Sequence, residues 1–275
     1  MIPQYVVLGN FLYHKRFVLV IMTLTLIQQQ RYARHIAMDA IGQHGQEILL
    51  SAKVAIVGMG GLGNPASMYL AAGGVGQLVI IDDDEVQLSN LQRQLLFKHS
   101  DIGLPKVVAA KRYLEELNPD SMVSAHQLRL DDVSAKQLFK LVDVVLDCTD
   151  NFQTRWAINK ACHDLQKPLV WASTIGFSGQ LGVATPYESD SHPCYGCFCG
   201  SMPNETDSPS CSDNGIIGSV AATMGAMQAT EAIKQILSLP TNANKAIYRY
   251  DGLLGVSKYV ALSKNPACEV CDATV

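Results

Sequence analysis

The sequence predicts an α/β fold with a mostly parallel sheet and helices on both of its faces. Short apolar runs alternate with helical patterns along most of the chain, and the connections between them are short. The run Lys-Val-Ala-Ile-Val at residues 53–57 is rich in β-branched residues, which is typical of a buried parallel strand. A glycine-rich turn follows this run and leads into a predicted helix. Together these features predict a Rossmann-like domain.

The remaining elements alternate in the same way. Residues 31–50 are predicted as a helical lead-in, and the helix at 104–117 is closed by the stop signal Asn118-Pro119. Further strands are predicted at residues 78–82, 123–128, 144–147, 169–172 and 180–185, and further helices at 64–72, 134–141 and 152–165.

The C-terminal third begins with a segment of a different kind. Residues 186–215 are dominated by Pro, Ser, Asp, Asn, Gly and Cys without a hydrophobic period, which predicts a long functional or mobile loop. A long helix is predicted at residues 216–239, ended by Pro240, and strands at 246–250 and 256–262 precede a cysteine-bearing tail.

The first 30 residues are expected to be an extension that is not part of the fold, and residues 31–275 a single domain. The apolar run at residues 17–27 is too short to cross a bilayer, and no small-residue cleavage site follows it. Met22 is a candidate for the true translation start.

Composition narrows the class of function. A net charge of −4 and a pI near 5.9 argue against a nucleic-acid binder, because such proteins usually have a basic surplus. Eight cysteines in 275 residues are too few for a disulfide scaffold, and their C-x-x-C pairing points to metal or thiol chemistry in a reducing compartment. These features favour a cytoplasmic enzyme without a membrane anchor.

The glycine-rich turn predicts a nucleotide site. Gly58, Gly60 and Gly63 fit the pattern G-x-G-x-x-G, with Gly61 as an additional glycine between a strand and a helix. Such a turn lets backbone N–H groups approach phosphate oxygens at a helix N-terminus. Asp82, at the end of the second predicted strand, is placed to bind ribose hydroxyls. On these features alone, an NAD-dependent oxidoreductase would be the leading interpretation.

Charged side chains further along the chain favour ATP instead. Asn90 and Arg93 lie in the motif Ser-Asn-Leu-Gln-Arg-Gln at residues 89–94, and Lys106 follows. Taken singly, the two cations would be ordinary surface charges, but around one crevice they can neutralise a departing pyrophosphate. Asp150, in Asp-Cys-Thr-Asp-Asn at residues 147–151, follows the fourth strand and can hold Mg²⁺.

These motifs, in this order, resemble the ThiF/MoeB superfamily, which includes the adenylation domains of ubiquitin-activating enzymes. The resemblance runs from Arg31 to about Asp272. It implies that residues 58–63 form the phosphate turn, that Asp82 binds ribose, and that Asp150 binds Mg²⁺. The phosphate contacts it implies are Asn90, Arg93 and Lys106. Asp84, Gln94 and Asn151, which lie within or close to the same motifs, are also expected at the nucleotide site.

The same resemblance implies a homodimer. Arg-Tyr-Ala-Arg at residues 31–34 matches the lead-in of the family. By the resemblance, Arg34 reaches into the ATP site of the neighbouring subunit. The sequence alone would treat Arg34 as a charge on a helix surface.

Two C-x-x-C pairs, Cys194 with Cys197 and Cys268 with Cys271, can close a tetrahedral zinc site. A redox pair or a disulfide would not explain why two pairs occur, and the resemblance has the same two pairs. We expect a structural zinc that staples the tail to the long loop. Cys199 could replace a ligand, but the spacing favours Cys197.

The other cysteines are expected to differ in role. Cys148 and Cys162 are predicted as small buried hydrophobic residues. Cys211 lies in the polar loop, shortly before a predicted helix whose N-terminus would favour a thiolate. The resemblance makes Cys211 a candidate for a covalent link to the activated substrate, with an unreactive loop cysteine as the alternative.

The resemblance implies ATP-dependent adenylation of the C-terminal glycine carboxylate of a ubiquitin-like sulfur-carrier protein. A sulfur-donating desulfurase is a further expected partner. Strings at residues 82–86, 95–97 and 176–181 look closer to the ThiF branch, which favours a ThiS-type carrier of thiamine synthesis over a MoaD-type carrier of molybdopterin synthesis. A NAD-dependent oxidoreductase and a catalytically silent carrier-binding module are the alternatives from other classes.

Overall fold

The computed structural model describes residues 23–201 and 215–272. Its centre is one eight-stranded sheet, in the order β3-β2-β1-β4-β5-β6-β7-β8. The strands are β1 (Lys53–Val57), β2 (Gln77–Ile81), β3 (Met122–His126), β4 (Val144–Asp147), β5 (Leu169–Ile175), β6 (Ser178–Ala184), β7 (Ala246–Asp251) and β8 (Val256–Ala261).

The first five strands are parallel, and the last three continue the sheet in antiparallel pairs. The predicted mostly parallel sheet with C-terminal strands is therefore confirmed. The strand order reverses between β1 and β4, because the chain leaves β3 and returns on the other side of β1. In open sheets of this type, ligands collect in the crevice beyond the carboxyl ends of the strands at such a switch point.

Helices cover both faces of the sheet, as predicted. They are α1 (Leu26–Arg31), α2 (Ala33–Ile36), α3 (Gly42–Ser51), α4 (Gly63–Ala72), α5 (Lys106–Leu117), α6 (Asp132–Phe139), α7 (Phe152–Asp164), α8 (Tyr195–Cys199) and α9 (Gly218–Ile236). Side chains of β1 alternate between the two resulting cores: Val54 and Ile56 pack on one face, Ala55 and Val57 on the other. The first core contains α3, α4, α5 and α9, and the second contains α6 and α7.

The predicted helical lead-in is divided into three helices, and the first begins at Leu26 rather than at residue 31. The side chain of Thr25 caps α1, and Leu24 is buried. Tyr32 is also buried, and its hydroxyl donates a hydrogen bond to Asp120 at 2.9 Å. Residues 24–30 are thus tied to the domain through Leu24 and through Gln28, whose Nε2 donates to Asp120 at 3.3 Å, while Leu26 and Ile27 are exposed. Met22 and the residues before it lie outside the described residues.

In the polar segment that begins at residue 186, the described part up to residue 201 contains a regular element that the sequence analysis missed, the short helix α8. Its aromatic side chains pack on the second core, where Trp171 of β5 stacks on Phe198 with ring centroids 4.9 Å apart. The hydrophobic pattern did not predict this helix because five residues make little more than one helical turn. Within the described residues, no helix is long and apolar enough to span a bilayer.

Candidate active site and cysteine cluster

A cleft of about 880 Å³ opens at the carboxyl ends of the parallel strands, at the switch point between β1 and β4. Its size is within the range of small-molecule sites. Most of the residues that the sequence predicted for a nucleotide site line it together: Gly58, Gly60, Gly61, Asp82, Asp84, Asn90, Arg93, Gln94, Lys106, Asp150 and Asn151.

The glycine turn is shaped by close backbone contacts. Gly58 has φ +90°, and a Cβ added there would lie 2.7 Å from the carbonyl oxygen of Cys148 after β4. Gly63 is the first residue of α4, and a Cβ on it would lie 1.9 Å from the carbonyl oxygen of Gly58. Gly63 is not among the residues that line the cleft, and its lack of a side chain lets the helix pack tightly against the turn.

Asp82 connects the turn to the end of β2. One carboxylate oxygen accepts a hydrogen bond from the Met59 amide at 2.6 Å, and the other accepts from the Asp84 amide at 2.8 Å. Burial raises the pKa of Asp82, while Lys106 and the two amides act in the opposite direction. The carboxylate thus lies beside the turn, at the position from which it could accept hydrogen bonds from ribose hydroxyls.

The sequence analysis did not identify Asn64, whose side-chain amide is buried beside the glycine turn. Its Nδ2 donates to the Met59 carbonyl at 2.8 Å, and its Oδ1 accepts from the Leu96 amide at 2.9 Å. Asn64 thereby joins the glycine turn to the segment that carries Arg93. An asparagine in the first turn of a helix gives no distinct sequence signal, so only the structure reveals this bridge.

The predicted phosphate-binding side chains are held in different ways. Lys106 is 5% exposed, and its Nζ lies 2.7 Å from Oδ2 of the exposed Asp84. The Arg93 guanidinium donates to the Ser89 carbonyl at 3.0 Å. Asn90 uses its Oδ1 to accept from the Gln87 amide at 3.1 Å, so its Nδ2 is the group that remains for a ligand.

The cleft contains two cations and a polar wall that the sequence analysis did not include. Arg129 follows β3, and Arg155 lies in α7 with its guanidinium 3.1 Å from the buried Asp147 carboxylate. The wall comes from the β5–β6 hairpin: Ser173, Thr174, Ser178 and Gln180. Arg129 could have been found from its place after a strand, but the alternating pattern of β5 and β6 does not reveal which face borders a cleft.

Two predicted catalytic residues are not among the described residues that line this cleft. Arg34 is exposed on α2 and does not line the cleft of its own chain. Cys211 lies outside the described residues, so its catalytic role stays a prediction. Cys148 and Cys162 are buried, and burial raises the pKa of both thiols, as expected for structural cysteines.

The four paired cysteines converge beside α8. All four Sγ atoms lie within 4.8 Å of one another, and those of Cys194 and Cys268 are 3.5 Å apart. Ligands at the usual Zn–S distance of about 2.3 Å in a tetrahedron would be about 3.8 Å apart. The described cysteines are all free, and these separations exceed a disulfide bond of about 2.05 Å.

The surroundings of the cluster also suit a metal site. The Cys197 thiol accepts a hydrogen bond from the Asn265 amide at 3.3 Å, and Asn159 donates to Cys194 at 3.6 Å. The hydrogen bond from Cys194 lowers the pKa of Cys197 to about 5, which favours a thiolate ligand. Cys199 points elsewhere and lines the cleft, so the preference for Cys197 as a ligand agrees with the structure.

The fold and the cleft are typical of α/β proteins that bind nucleotides, and comparison with known proteins narrows the class. A model of the ThiF family matches residues 32–270. The chain is 44% identical to the sulfur carrier protein ThiS adenylyltransferase of Escherichia coli over 244 residues, covering 89% of this chain and 95% of that protein. It is 40% identical to the SAMP-activating enzyme E1 of Haloferax volcanii, covering 91% of this chain and 92% of that protein. The chain belongs to the ThiF family.

Other relatives extend beyond the chain. The adenylyltransferase and sulfurtransferase MOCS3 of Anopheles gambiae is 40% identical, and the alignment covers 88% of this chain but 54% of that protein. A crystal structure of E. coli MccB with ATP superposes with a TM-score of 0.71 at 26% identity, covering 88% of this chain and 74% of MccB. Two of the named relatives are adenylyltransferases, and the predicted enzyme class, an adenylyltransferase, is confirmed.

The cysteine cluster predicts about one zinc per chain, because four thiolates complete the coordination of a structural site. Cys194→Ser should abolish zinc binding, whereas Cys199→Ser, a matched change in the same helix region, should retain it. Metal content of both variants and of the native protein can be measured by plasma mass spectrometry. Loss of zinc from Cys199→Ser, or a native protein without zinc, would contradict the assignment.

Proposed function

We propose that this enzyme uses ATP to adenylate the C-terminal glycine carboxylate of a ubiquitin-like sulfur-carrier protein, with release of pyrophosphate. The observation that carries the proposal is the cleft at the switch point. It brings the glycine turn, the acidic Asp82, the cations Arg93 and Lys106 and the exposed Asp150 into one cavity. Membership of the ThiF family supports the same reaction class.

In the proposed reaction, an oxygen of the carrier carboxylate attacks the α-phosphorus of ATP and the bond to the pyrophosphate oxygen breaks. The carboxylate is ionised at neutral pH, so the chain needs no general base. Its residues act by positioning and by charge. The glycine turn and Asp82 would hold the nucleotide, while Arg93 and Lys106 would stabilise negative charge on the phosphates as pyrophosphate leaves.

The charges of the cleft support a need for additional cations. The described lining residues include four cations, Arg93, Lys106, Arg129 and Arg155, and four aspartates, Asp82, Asp83, Asp84 and Asp150. Arg155 is already paired with Asp147, so these residues have no surplus of positive charge and do not by themselves neutralise polyanionic ATP. Mg²⁺ and the Arg34 side chain of a second subunit would supply the missing positive charge.

Asp150 is the residue that we propose to hold Mg²⁺. Its carboxylate is exposed in the cleft just after β4, and carboxylate oxygens are the ligands that Mg²⁺ prefers. When bound, Mg²⁺ would neutralise phosphate charge during transfer. Asn151 would contribute indirectly, because its side chain caps α7 through the Thr154 amide at 2.9 Å.

A ThiS-type carrier of thiamine synthesis is the proposed substrate. It is supported by the ThiF-like strings at residues 82–86 and 176–181 and by the 44% identity to a ThiS adenylyltransferase over nearly its whole length. A MoaD-type carrier is the second candidate, because the chain is 40% identical to MOCS3 over about half of that protein. The outer sulfur of a desulfurase persulfide would then displace AMP to give an acyl disulfide. Attack of a second thiol on the desulfurase cysteine sulfur would form a disulfide and release the carrier thiocarboxylate, with Cys211 as the candidate for a covalent link to the carrier.

The oxidoreductase and the silent binding module fit less well. An oxidoreductase would leave the cations of the cleft and the cysteine pairs unexplained. A silent module would be expected to lack some of the side chains that ATP needs, yet the described cleft contains most of the predicted set. The thiol cluster fits a reducing compartment, so we place the enzyme in the cytoplasm.

Pyrophosphate exchange into ATP should depend on the carrier, and a ThiS-type carrier should support it better than a MoaD-type carrier. Asp150→Ala should reduce the exchange rate by at least about 100-fold, because charge stabilisation in the transition state is lost. Asp190→Ala, an exposed aspartate outside the cleft, is the matched control and should be unchanged. Exchange that persists undiminished in Asp150→Ala would remove Asp150 from the mechanism, and faster exchange with MoaD would reverse the choice of carrier.

Mixing two inactive variants tests whether Arg34 acts in trans. In a dimer of Arg34→Ala with Asp150→Ala subunits, one of the two sites would be intact if Arg34 comes from the neighbour. Random mixing should then restore about a quarter of the native exchange rate. No recovery, with a mixed dimer demonstrated by mass spectrometry, would mean that Arg34 acts within its own chain. An Arg34→Ala protein that is fully active by itself would mean that Arg34 has no role in the site.

A further inference from the structure

We infer that Arg155 is a positioning residue that fixes the loop carrying Asp150 and thereby aligns the divalent-cation ligand of the reaction. The inference rests on the proposed function, because it assumes that Asp150 holds Mg²⁺. The observations that support it do not depend on which carrier is the substrate. They are the contacts of the buried Arg155 guanidinium with the end of β4, the loop that follows β4, and β5.

The guanidinium of Arg155 is buried and paired. Arg155 is 4% exposed, and its Nη1 lies 3.1 Å from Oδ2 of Asp147, which is 1% exposed. A buried charge is costly without a partner, so this ion pair ties α7 firmly to the end of β4. The pairing also means that Asp147 compensates the positive charge of Arg155.

Thr149, the residue before Asp150, forms hydrogen bonds with both members of this ion pair. The amide and the hydroxyl of Thr149 donate to Oδ1 of Asp147 at 2.9 Å and 2.7 Å. The Thr149 carbonyl accepts a hydrogen bond from Nη2 of Arg155, and the same Nη2 donates to the Ala172 carbonyl of β5 at 2.8 Å. The backbone that enters Asp150 is therefore fixed between β4, β5 and α7.

The residue after Asp150 is fixed as well, because Asn151 caps α7. The Asp150 side chain itself is exposed, and within the described residues no group donates a hydrogen bond to its carboxylate. Its direction thus depends on the backbone on either side. Outer groups that orient a metal-binding carboxylate are a common part of metal sites, and their loss weakens binding or activity.

The shape of the arginine side chain matters for this role. The planar guanidinium presents Nη1 to a carboxylate and Nη2 to two carbonyls, whereas a lysine ammonium cannot reproduce this fixed fork. The alternative is that Arg155 contacts a phosphate directly, like Arg93. The two roles differ in one respect: a direct contact strengthens ATP binding with or without Mg²⁺, whereas a positioning role is expressed through the cation.

Arg155→Lys tests the inference by two measurements, one of which needs no carrier. Calorimetry of ATP binding should give a dissociation constant within about twofold of the native value without Mg²⁺. The Mg²⁺ requirement should rise by about tenfold or more. It is measured as the Mg²⁺ concentration that gives half of the maximal effect, first on ATP affinity and then on carrier-dependent exchange. Arg112→Lys is the matched control, because Arg112 makes a 2.5 Å ion pair with Asp101 outside the cleft, and it should change neither value.

An Arg155→Lys protein that weakens ATP binding equally with and without Mg²⁺ would overturn the inference in favour of a phosphate contact. Unchanged Mg²⁺ dependence would also overturn it. If Arg155→Lys does not fold, Thr149→Val removes one contact of the same network and should raise the Mg²⁺ requirement in the same direction. If the native enzyme binds Mg²⁺ and ATP but shows no exchange with any carrier, the proposed function fails while the role of Arg155 is still tested.

Discussion

The close approach of two backbone segments at the switch point is the constraint on which the site depends. After β1 the chain turns at Gly58, and after β4 it passes so near that a Cβ on Gly58 would lie 2.7 Å from the Cys148 carbonyl oxygen. Gly63 then lets α4 pack against the same turn. Because these contacts leave no room for side chains, the turn, Asp82 and the Asp150 loop meet at one end of the sheet.

Electrostatic pairing organises the cleft around this constraint. Lys106 is paired with Asp84, and Arg155 with Asp147, so neither of these two cations is unpaired in the cleft. The first pair is exposed on its acidic side, and a polyanionic substrate could displace it. The Arg155–Asp147 pair is buried, and its hydrogen bonds go to the backbone of the loop after β4. The same type of contact thus has two roles, which depend on whether water can reach it.

Much of the fold and most of the residues that line the cleft could be predicted, because continuous apolar runs and a glycine turn between strand and helix have few structural solutions. What could not be predicted depends on contacts between distant segments. The bridge made by Asn64, the network of Arg155 and the polar wall at Gln180 are examples, since each depends on which face of an element borders the cleft. The packing role of Gly63 is a further example, because the motif does not separate a glycine that approaches phosphate from one that admits a helix.

The most direct test of the central claim is the intact mass of the carrier after incubation with enzyme, ATP and Mg²⁺. Adenylation predicts a carrier that is heavier by one adenylyl group at its C-terminus, with pyrophosphate released in equal amount. Transfer of this group should disappear when the C-terminal glycine of the carrier is removed. An unmodified carrier together with accumulating ADP would contradict the account, because it would mean that the cleft directs chemistry to the γ-phosphate rather than to the α-phosphate.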